Sequence, residues 1–166
     1  MTIIEKLEAR IQALEDIRAI EQLKYRYFRA LDCRDWPALR ACFTADVATD
    51  FESGQYSFAG IDAVMEFLSS SFIRLSAAGY CAAHLGNHPE VELLDERRAR
   101  GQWTLNAPIL DAGTGRPGLQ VSFYRDEYRK ENGVWRICRT GYTNYMKGSW
   151  LGAELSSVFG AESGAH

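Results

Sequence analysis

Two residues have the makings of a proton-transfer pair: Asp32, in the stretch YRYFRALDCRDW (residues 25–36), and His84, in YCAAHLGNHPE (residues 80–90). Imidazole is the side chain whose charge ordinarily changes near neutral pH. A carboxylate bound to one ring nitrogen fixes the tautomer, orients the ring and raises the basicity of the other nitrogen. Such a pair can take a proton from carbon without a cofactor. The other histidines are His88 and His166, the last at the end of the sequence, so imidazole chemistry rests on His84 or His88. Each partner also has a plainer role. A buried Asp32 needs a partner, whereas an exposed one simply belongs to a helix-ending turn. His84 alone reads as a strand histidine bonded to a backbone carbonyl.

Other chemistries find less support. His84 and His88 form H-x-x-x-H, but Gly86 and Pro89 disfavour the helix that would align them, and no third nitrogen or sulfur ligand is near, so no metal is expected. No G-x-S-x-G elbow occurs, and Ser69-Ser70-Ser71 reads as a helix end. The glycines of 113–118 fall between strands rather than before a helix, so neither a nucleotide nor a nicotinamide cofactor is expected. A net charge of -3, without any Lys/Arg block, excludes nucleic acid as a partner. The N-terminal MTIIEKLEARIQALEDI interleaves charges with aliphatics and no run approaches a membrane span, which implies a cytoplasmic protein with no membrane partner. Cysteines 33, 42, 81 and 138 lack finger or C-x-x-C spacing and read as free, buried thiols.

The elements that must position these groups follow from periodicity. The length of 166 residues suits one domain, 1–166. Leu7, Ile11, Leu14, Ile17, Ile20, Leu23, Tyr27 and Leu31 recur at helical spacing, giving one long helix or two in series. Asp35 before Trp36-Pro37 caps a short helix through ALRACF. A strand pair turning near Ser53-Gly54 follows, and then a helix over IDAVMEFLSSSF. Four strand-like stretches come next, separated by Asp95-Glu96, the 113–118 turn and Asn132-Gly133. The fold class is α+β, with an antiparallel sheet. WLGAELSSVFG suggests a last short helix and ESGAH a loose tail.

The stretches IRAIEQLKYRYFRALDCRDWPALRACFTADVATDF, AAHLGNHPEVELLDERRARGQWTL and FYRDEYRKENGVWRICRTGYTNY resemble the SnoaL-like group of the nuclear transport factor-like (cystatin-like) superfamily, over roughly Ile11 to Met146. That group includes scytalone dehydratase, bile acid 7α-dehydratase and hexachlorocyclohexane dehydrochlorinase. The resemblance implies a cone in which helices pack on a strongly curved, antiparallel or mixed sheet around a cavity, with a His–Asp dyad falling on His84 and Asp32. It implies a cofactor-independent lyase of the dehydratase type, acting on a small hydrophobic ring-containing substrate, in a homodimer or homotrimer.

A family tyrosine falls on Tyr27, although five residues turn an ideal helix by about 140°, and Tyr25 and Phe28 lie nearer the azimuth of Asp32. A helix unwound before Asp32 would reconcile the two. Other family tyrosine positions hold Leu31 and Phe51, leaving Tyr56, Tyr124, Tyr142 and Tyr145 as alternative phenols. Arg139 roughly matches a family arginine, and Asn106 and Trp103 lie on the strand that usually lines the cavity; Trp103 and Trp135 read first as core aromatics. The same cone also hosts formaldehyde-releasing lyases of lignin-derived aromatics, ketosteroid-like isomerases and non-catalytic ligand-binding modules.

Overall fold

The first helix begins where Thr2 and Glu5 form a capping box: Glu5 donates its N–H to the Thr2 hydroxyl, and Thr2 donates its N–H to the Glu5 carboxylate. A computed structural model describes residues 2–150. Helix α1 runs without a break over Ile3–Cys33 and stops where Arg34 adopts a left-handed backbone (φ 57°). Asp35 then caps α2 (Trp36–Ala41), its carboxylate accepting from the Ala38 N–H at 3.1 Å. The hairpin of β1 (Phe43–Phe51) and β2 (Tyr56–Ala59) precedes α3 (Ile61–Ala77). Then come β3 (Tyr80–Ala82), β4 (Leu85–Leu93), β5 (Arg98–Asp111), β6 (Arg116–Glu131) and β7 (Val134–Ser149).

The strands form one curled, mixed sheet in the order β2-β1-β7-β6-β5-β3, with β4 also paired to β5. All its pairings are antiparallel except β1 with β7. Helices lie across the concave side of this half-barrel, and the alternation along β5 shows why: Ala99, Trp103, Leu105, Ala107 and Ile109 turn inward while Arg98, Arg100 and Gln102 face out. Burial of large side chains such as Trp103, Tyr27, Tyr128 and Leu39 supplies most of the stabilisation, at about 1.5–3 kcal/mol for each apolar side chain.

Three sequence expectations change. The stretch 80–94 is two strands rather than one, interrupted at Ala83 and His84. Only Cys42 of the four free cysteines is buried, since Cys33 falls on the outer side of the last turn of α1 and Cys81 on an outward-facing position of β3. The helix does not unwind before Asp32. WLGAELSSVFG and ESGAH, apart from Trp150, lie outside the described residues.

Candidate active site

Asp32 sits on the last turn of α1, and His84 occupies the break between β3 and β4. Asp32 uses both carboxylate oxygens on the same residue. Oδ2 accepts the backbone N–H of His84 at 2.9 Å, and Oδ1 lies 2.5 Å from its Nδ1. The break in the strand is what frees that N–H from the sheet and turns it to the helix. With Nδ1 engaged, Nε2 is the ring nitrogen left for other chemistry.

Two aromatic rings pack near the imidazole. Phe28, one turn before Asp32 on α1, stacks on His84 at 6.0 Å with planes 14° apart, and Phe72 of α3 lies at 5.9 Å. Phe28 is close enough to β4 that a Cβ at Gly86 would meet its ring at 2.3 Å, so only glycine lets the strand pass.

His84 borders a cavity of ≈ 520 Å³ between α1, α3 and the sheet. Tyr27, Leu31, Phe51, Phe67, Phe72 and Leu105 are among its apolar walls, while Tyr56, Tyr124, Tyr142, Gln120 and Glu52 add polar atoms. The 140° step between Tyr27 and Asp32 is thereby accommodated on a regular helix: Tyr27 and Leu31 face the cavity, and Asp32 grips from the helix flank the histidine that faces it.

The phenols are kept protonated. Burial raises the Tyr27 hydroxyl far above the ordinary tyrosine range, with a hydrogen bond accepted from Tyr124 opposing the shift. Burial likewise raises Tyr124, and it raises Tyr142, which donates to Glu52 at 3.4 Å. These groups act as hydrogen-bond donors at any ordinary pH.

A buried polar cluster lies under the floor. Lys24 Nζ sits 2.7 Å from Asp126 Oδ2, which also accepts from the Tyr128 hydroxyl at 2.8 Å, and Oδ1 accepts from Thr140 at 2.7 Å. Trp103 Nε1–H donates to Tyr128 at 2.9 Å. The ammonium of Lys24 also lies over the rings of Tyr124, Tyr27 and Phe28, at 3.9, 4.4 and 4.8 Å.

Three proposed pocket residues are not brought to the cavity. Trp103 is a core aromatic in the cluster beneath it, as is the buried Trp135 elsewhere in the core. Asn106 lies between inward-facing Leu105 and Ala107 and so takes the other face of β5. Arg139 would alternate inward from Ile137, but Cys138 is an extra residue in β7 opposite the Glu127–Tyr128 step. This bulge turns Arg139 outward, near Asp50 at 3.8 Å, into a depression of ≈ 720 Å³ on the outer face of the sheet. Tyr145 is 69 % exposed, and His88 is exposed at a second irregularity, between Asn87 and Glu90. Among the described residues no group of three or more His, Cys, Asp or Glu side chains is placed to hold a metal.

Residues 12–141 match the SnoaL-like domain. The chain belongs to the SnoaL-like family. Solved structures with the same fold include a hexachlorocyclohexane dehydrochlorinase, LinA type 2, 17% identical, covering 86% of this chain and 94% of the other with a TM-score of 0.76. A candidate scytalone dehydratase of Novosphingobium aromaticivorans is 20% identical over 86% of this chain and 92% of the other, with a TM-score of 0.75. An NTF2-like protein with a cystatin-like fold, also from N. aromaticivorans, is 24% identical over 87% of this chain and 92% of the other, with a TM-score of 0.74. The SnoaL-like cone is therefore the architecture on which Asp32 and His84 meet. No helix among the described residues of this SnoaL-like domain is long and apolar enough to cross a membrane.

Sequence reasoning missed Phe72, Gly86 and Lys24. Lys24 carried a signal, because it falls beside Ile20, Leu23, Tyr27 and Leu31 on the inward side of α1, where a charge needs a partner.

Proposed function

We propose that this domain is a cofactor-independent lyase that eliminates water, or a comparable leaving group, from a small cyclic or aromatic substrate. The observation that carries the proposal is the double grip of Asp32 on His84 at the wall of an aromatic-lined cavity. Asp32 holds the Nδ1–H tautomer, so Nε2 acts as the general base. The proton on the carbon next to the leaving group passes to Nε2, and the C–H electron pair becomes the new double bond. The leaving oxygen takes a hydrogen bond from a phenol as the C–O bond breaks and leaves as water by collecting the proton from Nε2, which restores the neutral imidazole. Tyr27, buried, protonated and on the cavity wall, is the phenol best placed to donate that hydrogen bond. Asp32 offsets the charge that develops on the imidazole, and a base of this kind contributes about 10²–10⁴-fold.

The names of the structural relatives supply two probes, hexachlorocyclohexane and scytalone. These are tested with wild type and with His84→Ala, following chloride release and product absorbance, with each substrate repeated in deuterated buffer. Turnover in the wild type that drops at least 100-fold in the variant is the expected result. A drop of less than tenfold would remove His84 as the base. Solvent deuterium entering recovered substrate or a rearranged product, without net elimination, would favour the isomerase reading.

A further inference from the structure

The N-terminal half of α1 carries an apolar stripe that the described residues leave uncovered. Ile4, Leu7, Ile11 and Leu14 are 50–68 % exposed, and the neighbouring Ile3 is 78 % exposed. At 100° per residue these four side chains cluster on one line of the helix. The residues by which α1 packs on its domain, Asp16, Ile20, Leu23, Tyr27 and Ala30, cluster about 180° away. Asp16 fixes this orientation, accepting from Trp135 Nε1 at 2.9 Å and Lys130 Nζ at 2.7 Å. The stripe therefore faces away from the sheet along about 16 Å of helix.

Its spacing is 3, 4, 3, the heptad pattern, with isoleucine at both a positions (4 and 11) and leucine at both d positions (7 and 14). Ile at a with Leu at d favours a parallel two-stranded coiled coil. In that register Arg10 occupies g and Glu15 the following e, so each Arg10 would face the Glu15 of a second chain. The next a and d positions hold Arg18 and Glu21, which ends the seam. Domain-facing residues such as Asp16 and Leu23 fall at f, on the outside of such a pair, so the two bodies do not collide. The capping box of Thr2 and Glu5 keeps the tip helical, which lowers the ordering cost of pairing.

We infer that two copies of this chain associate through residues 4–14 of α1, in parallel, as a short coiled coil. A lipid surface is a poorer fit. Residues 3–16 hold Glu5, Glu8, Glu15 and Asp16 against only Lys6 and Arg10, the reverse of the basic face that membrane-surface helices present.

The test joins light scattering with a cross-link on the full chain. Wild type is expected to show a concentration-dependent dimer that Leu7→Glu/Ile11→Glu weakens at least 100-fold, with unchanged circular dichroism in the sheet region. In a Cys33→Ser/Cys81→Ser background, Leu14→Cys should form an intermolecular disulfide under mild oxidation. Arg10→Glu should weaken the dimer, and adding Glu15→Arg should restore it. An unchanged mass in the Leu7→Glu/Ile11→Glu variant together with no Leu14→Cys cross-link would overturn the inference. So would a three-chain mass, a monomer whose stripe is covered by its own C-terminal segment, or a monomer that sediments with phosphatidylglycerol vesicles only when the stripe is intact.

Discussion

Asp32 holds His84 at two points, the backbone N–H and the ring Nδ1, across 52 residues of sequence. One carboxylate therefore sets both where the loop between β3 and β4 sits and which ring nitrogen faces the cavity. Asp32→Asn retains an oxygen for one contact but presents an N–H₂ to the other, so it should loosen the ring while leaving the fold intact. Nitrogen-15 spectra of the imidazole are expected to show a single Nδ1–H tautomer in wild type and a mixture in the variant, with turnover on any accepted substrate lowered at least 100-fold. An unmixed tautomer in Asp32→Asn would show that the ring is oriented by Phe28 and Phe72 instead.

Gly86→Ala tests the same site from the strand side. A methyl group 2.3 Å from the Phe28 ring has to displace it, and the ring stacked on His84 moves with it. Overpacking of this kind costs about 1–3 kcal/mol. A urea midpoint lowered accordingly, with rescue by Phe28→Leu in the double variant, is the expected result.

The Lys24–Asp126 pair is fully buried, so its two halves should be strongly coupled. Removing one partner leaves the other charged in the core. Lys24→Met is expected to cost about 3–5 kcal/mol, and Lys24→Met/Asp126→Asn should recover a large part of that loss. A double-mutant cycle on denaturant midpoints measures the coupling, and additive losses would count against it.

Asp16 gives a pH signature. Burial alone would raise its carboxyl, but hydrogen bonds from Lys130 and Trp135 outweigh burial and hold it below the usual 3.8. With the folded value below the unfolded one, its stabilisation is complete above about pH 4–5 and fades as the pH falls through the lower, folded value. Asp16→Asn should therefore be less stable than wild type at pH 7, with the gap closing toward pH 2–3. Thermal melts across that range read the difference directly.

How much of this could be seen in the residues alone depended on whether a signal was local. The long helix, the Asp35 cap and the Asn132-Gly133 hairpin rest on periodicity and turn chemistry within a few residues, and each was legible. The resemblance named Asp32 and His84 as partners, and the fold brings them into contact. Arg139 was not legible, because a single bulged residue in β7 reverses its face and nothing local announces a bulge. Asn106 failed for a related reason: a strand of hydrophobic residues does not reveal which phase turns toward the helices until Leu105 and Ala107 are seen to do so. Lys24 is intermediate, since its place on the inward side of α1 was readable but its partner, Asp126, lies on another element.

The parallel pairing of β1 with β7 has a consequence for the order in which the molecule is assembled. Asp50 pairs with Gly141, so roughly ninety residues must be synthesised before β1 finds its second neighbour. Gly141 has to be there as glycine, because a Cβ would lie 2.4 Å from the Asp50 carbonyl. During translation the β1–β2 hairpin emerges early and waits with an open edge on the ribosome, while β5, β6 and β7 can zip together as consecutive hairpins once they appear. Closure of the half-barrel through β1 and β7 must therefore wait until β7 has been made, and in that interval the open edge of β1 is free to pair with a wrong strand.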